Sequence, residues 1–117
     1  MRLLLAAFLG LTLCALTLAA ADISGTWSAS VALDAGSGTA TFVLKQTGET
    51  LSGSYSGALG EAKVTGSLKG DEVEWSFETE DAGKVVYKGR LDGAAKIKGS
   101  VEYGQLGKGN FTAEKTK

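Results

Sequence analysis

Between residues 22 and 117 every aromatic side chain falls on one side of a two-residue alternation: Trp27, Phe42, Tyr55, Trp75, Phe77, Tyr87, Tyr103 and Phe111. The other side of the alternation is Ser, Thr, Lys and Glu. Successive side chains of a β-strand point to opposite faces, so this pattern marks strands with one face on a core and one in water. A helix would need apolar residues at three- and four-residue spacing, and no segment of this stretch has it. The alternation predicts eight strands, over 24–33, 39–47, 50–57, 62–69, 72–79, 84–92, 96–103 and 109–115.

The connections between them are short. Gly48-Glu49 and Gly70-Asp71 fit two-residue hairpin turns, Gly93-Ala94-Ala95 closes a third turn and Asp81-Ala82-Gly83 ends a fourth, because Gly takes the positive φ that such turns require. Consecutive strands should then be antiparallel neighbours. A sandwich normally needs Greek-key crossovers, and here even the longest connection, Gly104 to Gly109, is hairpin-sized. The expected fold is all-β, an eight-stranded antiparallel up-and-down meander barrel. Pairing 109–115 with 24–33 would close it and remove both exposed edges.

Charge supplies an independent register. If 72–79 pairs with 84–92 so that Trp75 faces Tyr87 and Phe77 faces Val85, the outer pairs become Glu72–Arg90, Glu74–Lys88 and Glu78–Lys84. A one-residue slip would turn the aromatics to water, so the two patterns reinforce one another. Inside the strands, Gly53, Gly66, Gly89 and Gly99 recur as apolar-x-Gly-x-apolar. An inward Gly lets a strand coil tightly and leaves room for a neighbouring ring, and in this register Gly66 lies beside Trp75. These are not phosphate loops, since no helix follows them.

Residues 1–21 read differently. Arg2 precedes an almost wholly apolar run from Leu3 to Leu18, and Ala19-Ala20-Ala21 presents the small residues a signal peptidase needs. The expectation is a signal peptide over 1–21 cut after Ala21, a single domain over 22–117, and a secreted or periplasmic destination. An uncleaved anchor is the alternative, because the apolar run approaches the ~20 residues that span a bilayer. Leu13 precedes Cys14 where a bacterial lipoprotein signal has a small residue, which argues against lipidation. Removing Arg2 from the 12 Lys and Arg leaves 11, beside 13 Asp and Glu, a net charge of −2 spread along the chain. With no basic block, nucleic acid is not an expected partner. Nor is a membrane span expected after cleavage.

The strand beginning Ile23-Ser24-Gly25-Thr26-Trp27, followed by Leu51-Ser52-Gly53-Ser54-Tyr55, carries a family likeness. Gly-x-Trp on a first strand resembles the lipocalin-like (calycin-type) barrels, and Gly-Thr-Trp followed by Leu-x-Gly-x-Tyr looks more specifically like the avidins. The resemblance implies that Trp27 is a structural tryptophan at the closed end and that Tyr55 matches a tyrosine that hydrogen-bonds biotin. Other positions depart from the avidin pattern. Ala29 stands where an Asn is expected, Leu33 and Gly57 where Ser residues are expected, so the polar cradle for biotin is missing.

An eight-stranded barrel has an interior that side chains just fill, or that holds one small ligand. Here the inner face is rich in rings and Val, Leu and Ile, which predicts a mostly filled core with a shallow pocket at one mouth. The tight turns at 48–49, 70–71 and 93–95 share an end with Trp27, whose indole N–H has Gln46 across the hairpin as a candidate partner. Trp27, Gln46, Trp75 and Tyr87 are expected to be structural. The connections at 35–38, 58–61, 80–83 and 104–109 share the other end, with Leu59 and Leu106 as a plug or as a lid. The candidate ligand-binding residues are Leu33, Tyr55, Leu59, Phe77, Val85, Tyr103 and Leu106.

Catalysis is not expected. The chain has no His, and its one Cys, Cys14, lies in the signal run, so the usual base, the thiol nucleophile and the common zinc sites are missing. The carboxylates fall on outer faces, in turns or at termini. No cofactor or metal is implied. Asn110-Phe111-Thr112 fits a glycosylation triplet, although Phe111 points inward. Two functions remain: a binder of a small hydrophobic ligand at the open mouth, or a protein-binding or inhibitor module that uses the loops at the same end.

Overall fold

The computed structural model describes residues 22–34 and 36–117. The signal sequence expected over 1–21, with Cys14, lies outside them. The strands are β1 (Gly25–Leu33), β2 (Gly36–Thr47), β3 (Thr50–Gly57), β4 (Gly60–Lys69), β5 (Glu72–Thr79), β6 (Gly83–Leu91), β7 (Lys96–Tyr103) and β8 (Lys108–Lys115). They form a closed barrel in chain order, each antiparallel to the next, and β8 returns to β1 from Trp27↔Lys115 to Leu33↔Gly109. The all-β, up-and-down meander follows from the alternation and the short turns. Followed once round the ring, the ladders come back to β1 displaced by about ten residues, the stagger a tilted barrel needs to close.

The register is the one that the apolar faces demand. Trp75 lies opposite Tyr87 on one side and Gly66 on the other, and Phe77 lies opposite Val85. Glu72, Glu74 and Glu78 face Arg90, Lys88 and Lys84 along the outer ladder. Only the first of these pairs makes an ionic contact, with Arg90 at 3.5 Å from Glu72 and 2.9 Å from Asp71. Long solvated side chains gain little from being held together at a surface, so opposite placement does not by itself produce a bond. At the two-residue turns, Gly48 and Gly70 have φ of 63° and 64°, as a hairpin of this length requires.

Two connections are shorter than expected. Residues 36–38 belong to β2, paired with β1 as far as Leu33↔Gly36, and β4 begins at Gly60, opposite Gly57. Gly36-Ser37-Gly38-Thr39 has no apolar residue to signal a strand, but β1 beside it supplies a backbone ladder that asks nothing of side chains. The β1–β2 hairpin therefore rises above its neighbour, whose ladder with β2 stops at Ala40↔Gly57.

Rings fill the middle. Phe42 packs against Trp75 at 5.1 Å and Tyr87 at 5.0 Å between centroids. Trp75 stacks on Tyr87 at 5.3 Å, and Tyr55 stacks on Phe77 at 4.2 Å. Leu44, Leu51, Val64, Leu68, Val73, Ile97 and Val101 close the remaining space. The Trp75 indole N–H has no hydrogen-bond partner among the described residues, so its side chain is held by packing and not by a hydrogen bond. At the closed end Trp27 is fully buried, and its Nε1–H donates to the Ile23 carbonyl at 2.9 Å. Gln46 is not the direct partner that the hairpin suggested. Its Oε1 accepts from the Ile23 N–H at 2.8 Å and its Nε2 donates to the Gly48 carbonyl at 3.0 Å. Gln46 thus holds the segment that holds Trp27.

Candidate functional site

At the end opposite Trp27 the rings stop short of the rim and leave a cup of about 250 Å³. One wall is the raised hairpin, with Val31 and Leu33 from β1 and Gly36, Ser37, Gly38 and Thr39 from β2. The tight turn after β3 supplies Ala58 and Leu59, and the connection after β7 supplies Leu106. Tyr55 and Tyr103 complete the lining. Among the described residues no charged side chain belongs to the lining.

Five of the seven candidate ligand-binding residues therefore meet at the cup: Leu33, Tyr55, Leu59, Tyr103 and Leu106. Phe77 and Val85 do not line it. Both are buried in the core, with the Phe77 ring under Tyr55. Alternation gives the face a residue points to, whereas depth along the axis depends on the stagger of the whole ring. Gly36, Ser37 and Gly38 join the wall through backbone pairing with β1 and carry no side-chain signal for it. Val31 was legible as inward-facing, and its height was not.

The two leucines differ. Leu59 packs partly buried against the core, and its N–H donates to the Tyr55 hydroxyl at 3.3 Å, so the turn is tied down. Leu106 is 38% exposed at the rim. Its segment is a 3₁₀ turn, Gly104–Leu106, fastened by the Gln105 N–H on the Ala82 carbonyl at 3.0 Å and the Tyr103 N–H on the Gly107 carbonyl at 2.8 Å. Ala82, buried in a connection with no periodicity to announce it, is the seat of that turn.

Below the rim, the hydroxyls of Tyr87 and Tyr103 are hydrogen-bonded to each other. Burial pushes the Tyr103 hydroxyl up to about 12 from its ordinary value of 10.0, and burial with the neighbouring Tyr103 raises Tyr87 well above that ordinary value. Both are neutral in the folded protein wherever an unfolded tyrosine is neutral. Above about pH 10 the unfolded chain loses protons that the folded chain keeps, so the unfolded state is favoured as pH rises. Stability is expected to be intact below about pH 10 and to decline from there through about pH 12. Tyr87→Phe should lessen the decline, and urea midpoints compared at about pH 9 and pH 11 would show it. Equal declines in both proteins would mean that other groups control the alkaline limit.

No family model and no curated protein matches the chain. Among solved structures, a redesigned β-barrel is similar, with a TM-score of 0.62 and 17% identity over 81% of this chain and 92% of that one. The likeness is one of fold. It supports a small eight-stranded barrel and does not reach the lipocalin or avidin families. Among the described residues, no group of three or more His, Cys, Asp or Glu is placed to hold a metal ion.

Proposed function

We propose that this chain is a non-enzymatic binding barrel that takes a small apolar ligand in the mouth cup. The observation that carries the reading is the cup itself, an uncharged concavity with aliphatic walls and two phenols over a filled core. Binding sites are typically apolar concavities with a few placed polar groups, and about 250 Å³ lies just below their usual range of about 300–1,000 Å³, which suits a small guest. Descent from a lipocalin- or avidin-like barrel is part of the proposal, supported by the Trp27 and Tyr55 motifs, as is export after removal of residues 1–21.

Catalysis has no part in it. Every Asp and Glu of the described residues is exposed, outside the enclosed kind of site in which a carboxylate pair does acid–base work. The outer faces of β5 and β6 carry Glu72, Glu74, Glu78, Lys84, Lys88 and Arg90, which do not suit a lipid-facing band.

A second reading, a protein-binding or inhibitor module, is favoured by the raised hairpin. Gly36–Thr39 is laddered to β1 alone, and its other edge continues past the end of β3. An extended segment of a protein partner could add there as a further strand.

Titrating an environment-sensitive apolar dye against the protein and against the Leu59→Ser, Leu106→Ser double variant separates the two. The ligand reading expects saturable binding to the parent, about tenfold weaker in the variant, with thermal stability nearly unchanged. No saturable binding to the parent would count against the cup and leave the hairpin edge. An unfolded variant would mean that the leucines serve as a plug.

A further inference from the structure

The hydroxyl pair below the rim says which apolar ligands the cup prefers, given that it is a ligand site. A phenol has one proton to donate and lone pairs to accept with. Two hydroxyls joined by one hydrogen bond therefore leave one proton over, and its direction depends on which of them donates. Tyr87 is 0% exposed, and its hydroxyl meets no polar group other than Tyr103 among the described residues. Were Tyr87 the acceptor, its proton would be stranded among the rings, with a buried donor's desolvation uncompensated. Tyr87 therefore donates and Tyr103 accepts.

That leaves the Tyr103 proton unused. Tyr103 lines the cup, 6% exposed, and its hydroxyl donates to no other group among the described residues. Accepting from Tyr87 also polarises the Tyr103 O–H and makes it a better donor. The second phenol of the cup, Tyr55, accepts from the Leu59 N–H, and its own proton is likewise available to a guest. With no cation among the lining residues an anion would lose its hydration without compensation, and with no carboxylate a cation would do the same.

We propose that the cup selects neutral apolar molecules bearing a carbonyl oxygen, which accepts a hydrogen bond from the Tyr103 O–H. Tyr87 is then a positioning residue that fixes the direction of that bond. A guest without an acceptor leaves the Tyr103 proton buried and unpaired, so the preference comes as much from that penalty as from the bond gained.

A matched pair of fluorescent probes tests this: 6-propionyl-2-dimethylaminonaphthalene, a ketone, and 2-dimethylaminonaphthalene, which lacks the carbonyl. The protein is expected to bind the ketone about tenfold tighter than the parent compound. Tyr103→Phe should lose most of that preference, the Tyr55 hydroxyl accounting for any remainder, while binding the carbonyl-free probe as before. Tyr87→Phe, which keeps the Tyr103 hydroxyl, should retain most of it and guards against a mere packing effect. Equal affinity for the two probes, or a ketone preference undiminished by Tyr103→Phe, would overturn the donor assignment and leave the cup standing as an apolar site. Loss of the preference in Tyr87→Phe as complete as in Tyr103→Phe would also overturn it. Binding of neither probe would defeat the ligand reading itself, and this inference with it.

Discussion

Trp27→Ala is expected to lower unfolding free energy by about 3–5 kcal/mol, as removal of a fully buried tryptophan does when the cavity cannot collapse. Here it cannot collapse easily. Phe42 lies opposite on β2, and the chain before β1 is folded under the ring, with Ile23 fully buried and its carbonyl receiving the indole N–H. Losing the ring also deprives that carbonyl of its partner, which releases the N-terminal segment that Gln46 secures. A domain of this size has about 5–15 kcal/mol in total, so the variant should unfold at much lower denaturant concentration. A loss below about 1 kcal/mol would show that the closed end tolerates a void and that Trp27 is not its anchor.

Gly66→Val should be comparably damaging for a different reason. A Cβ on Gly66 would come within 2.0 Å of the Glu74 carbonyl oxygen and 2.7 Å of the Trp75 Cα. The atoms in the way are backbone of the adjacent strand and cannot rotate aside. The β4–β5 ladder would have to open, and it is already the shortest in the barrel, running only from Thr65↔Ser76 to Lys69↔Glu72. Overpacking of this kind costs about 1–3 kcal/mol and more where backbone must move, so about 3 kcal/mol is expected. Gly38→Val is the contrast, since nothing lies within 4 Å of a Cβ there, and its effect should stay within about 0.5 kcal/mol. Similar unfolding midpoints for the two variants would mean that the crowding at Gly66 is relieved without opening the sheet.

The barrel and its register were legible because one rule, apolar in and polar out, holds from Trp27 to Phe111 with few exceptions. Trp75, Tyr87 and Gly66 could be set side by side from sequence since a slip of one residue would have put each of them in water. What escaped has a common cause. Gly36-Ser37-Gly38 is a strand extension made by backbone pairing with no side-chain pattern. Ala29, Ala40 and Ala113 obey the alternation but are too small to weigh as core, although each is buried. Ile23 lies on the inward parity of β1 yet precedes the strand. Depth was the other gap. Phe77 and Val85 point inward as expected and sit too low to reach the cup, because height is a property of eight staggered ladders together and of no one segment.

The seam between β1 and β8 has a consequence for timing. The Thr116 hydroxyl and the Thr26 carbonyl that it bonds are 90 residues apart in sequence, and seven further pairs join the same two strands. The hairpins β1–β2 to β7–β8 can each form locally as the chain emerges, but the ring cannot close until its last strand is free, and loop closure over such a separation must precede the contacts that reward it. Until then, β1 and β8 both present open edges and the rings of Phe42, Trp75 and Tyr87 have no lid. A ring of this design stays open until β8 is in place and completes itself in a single late step.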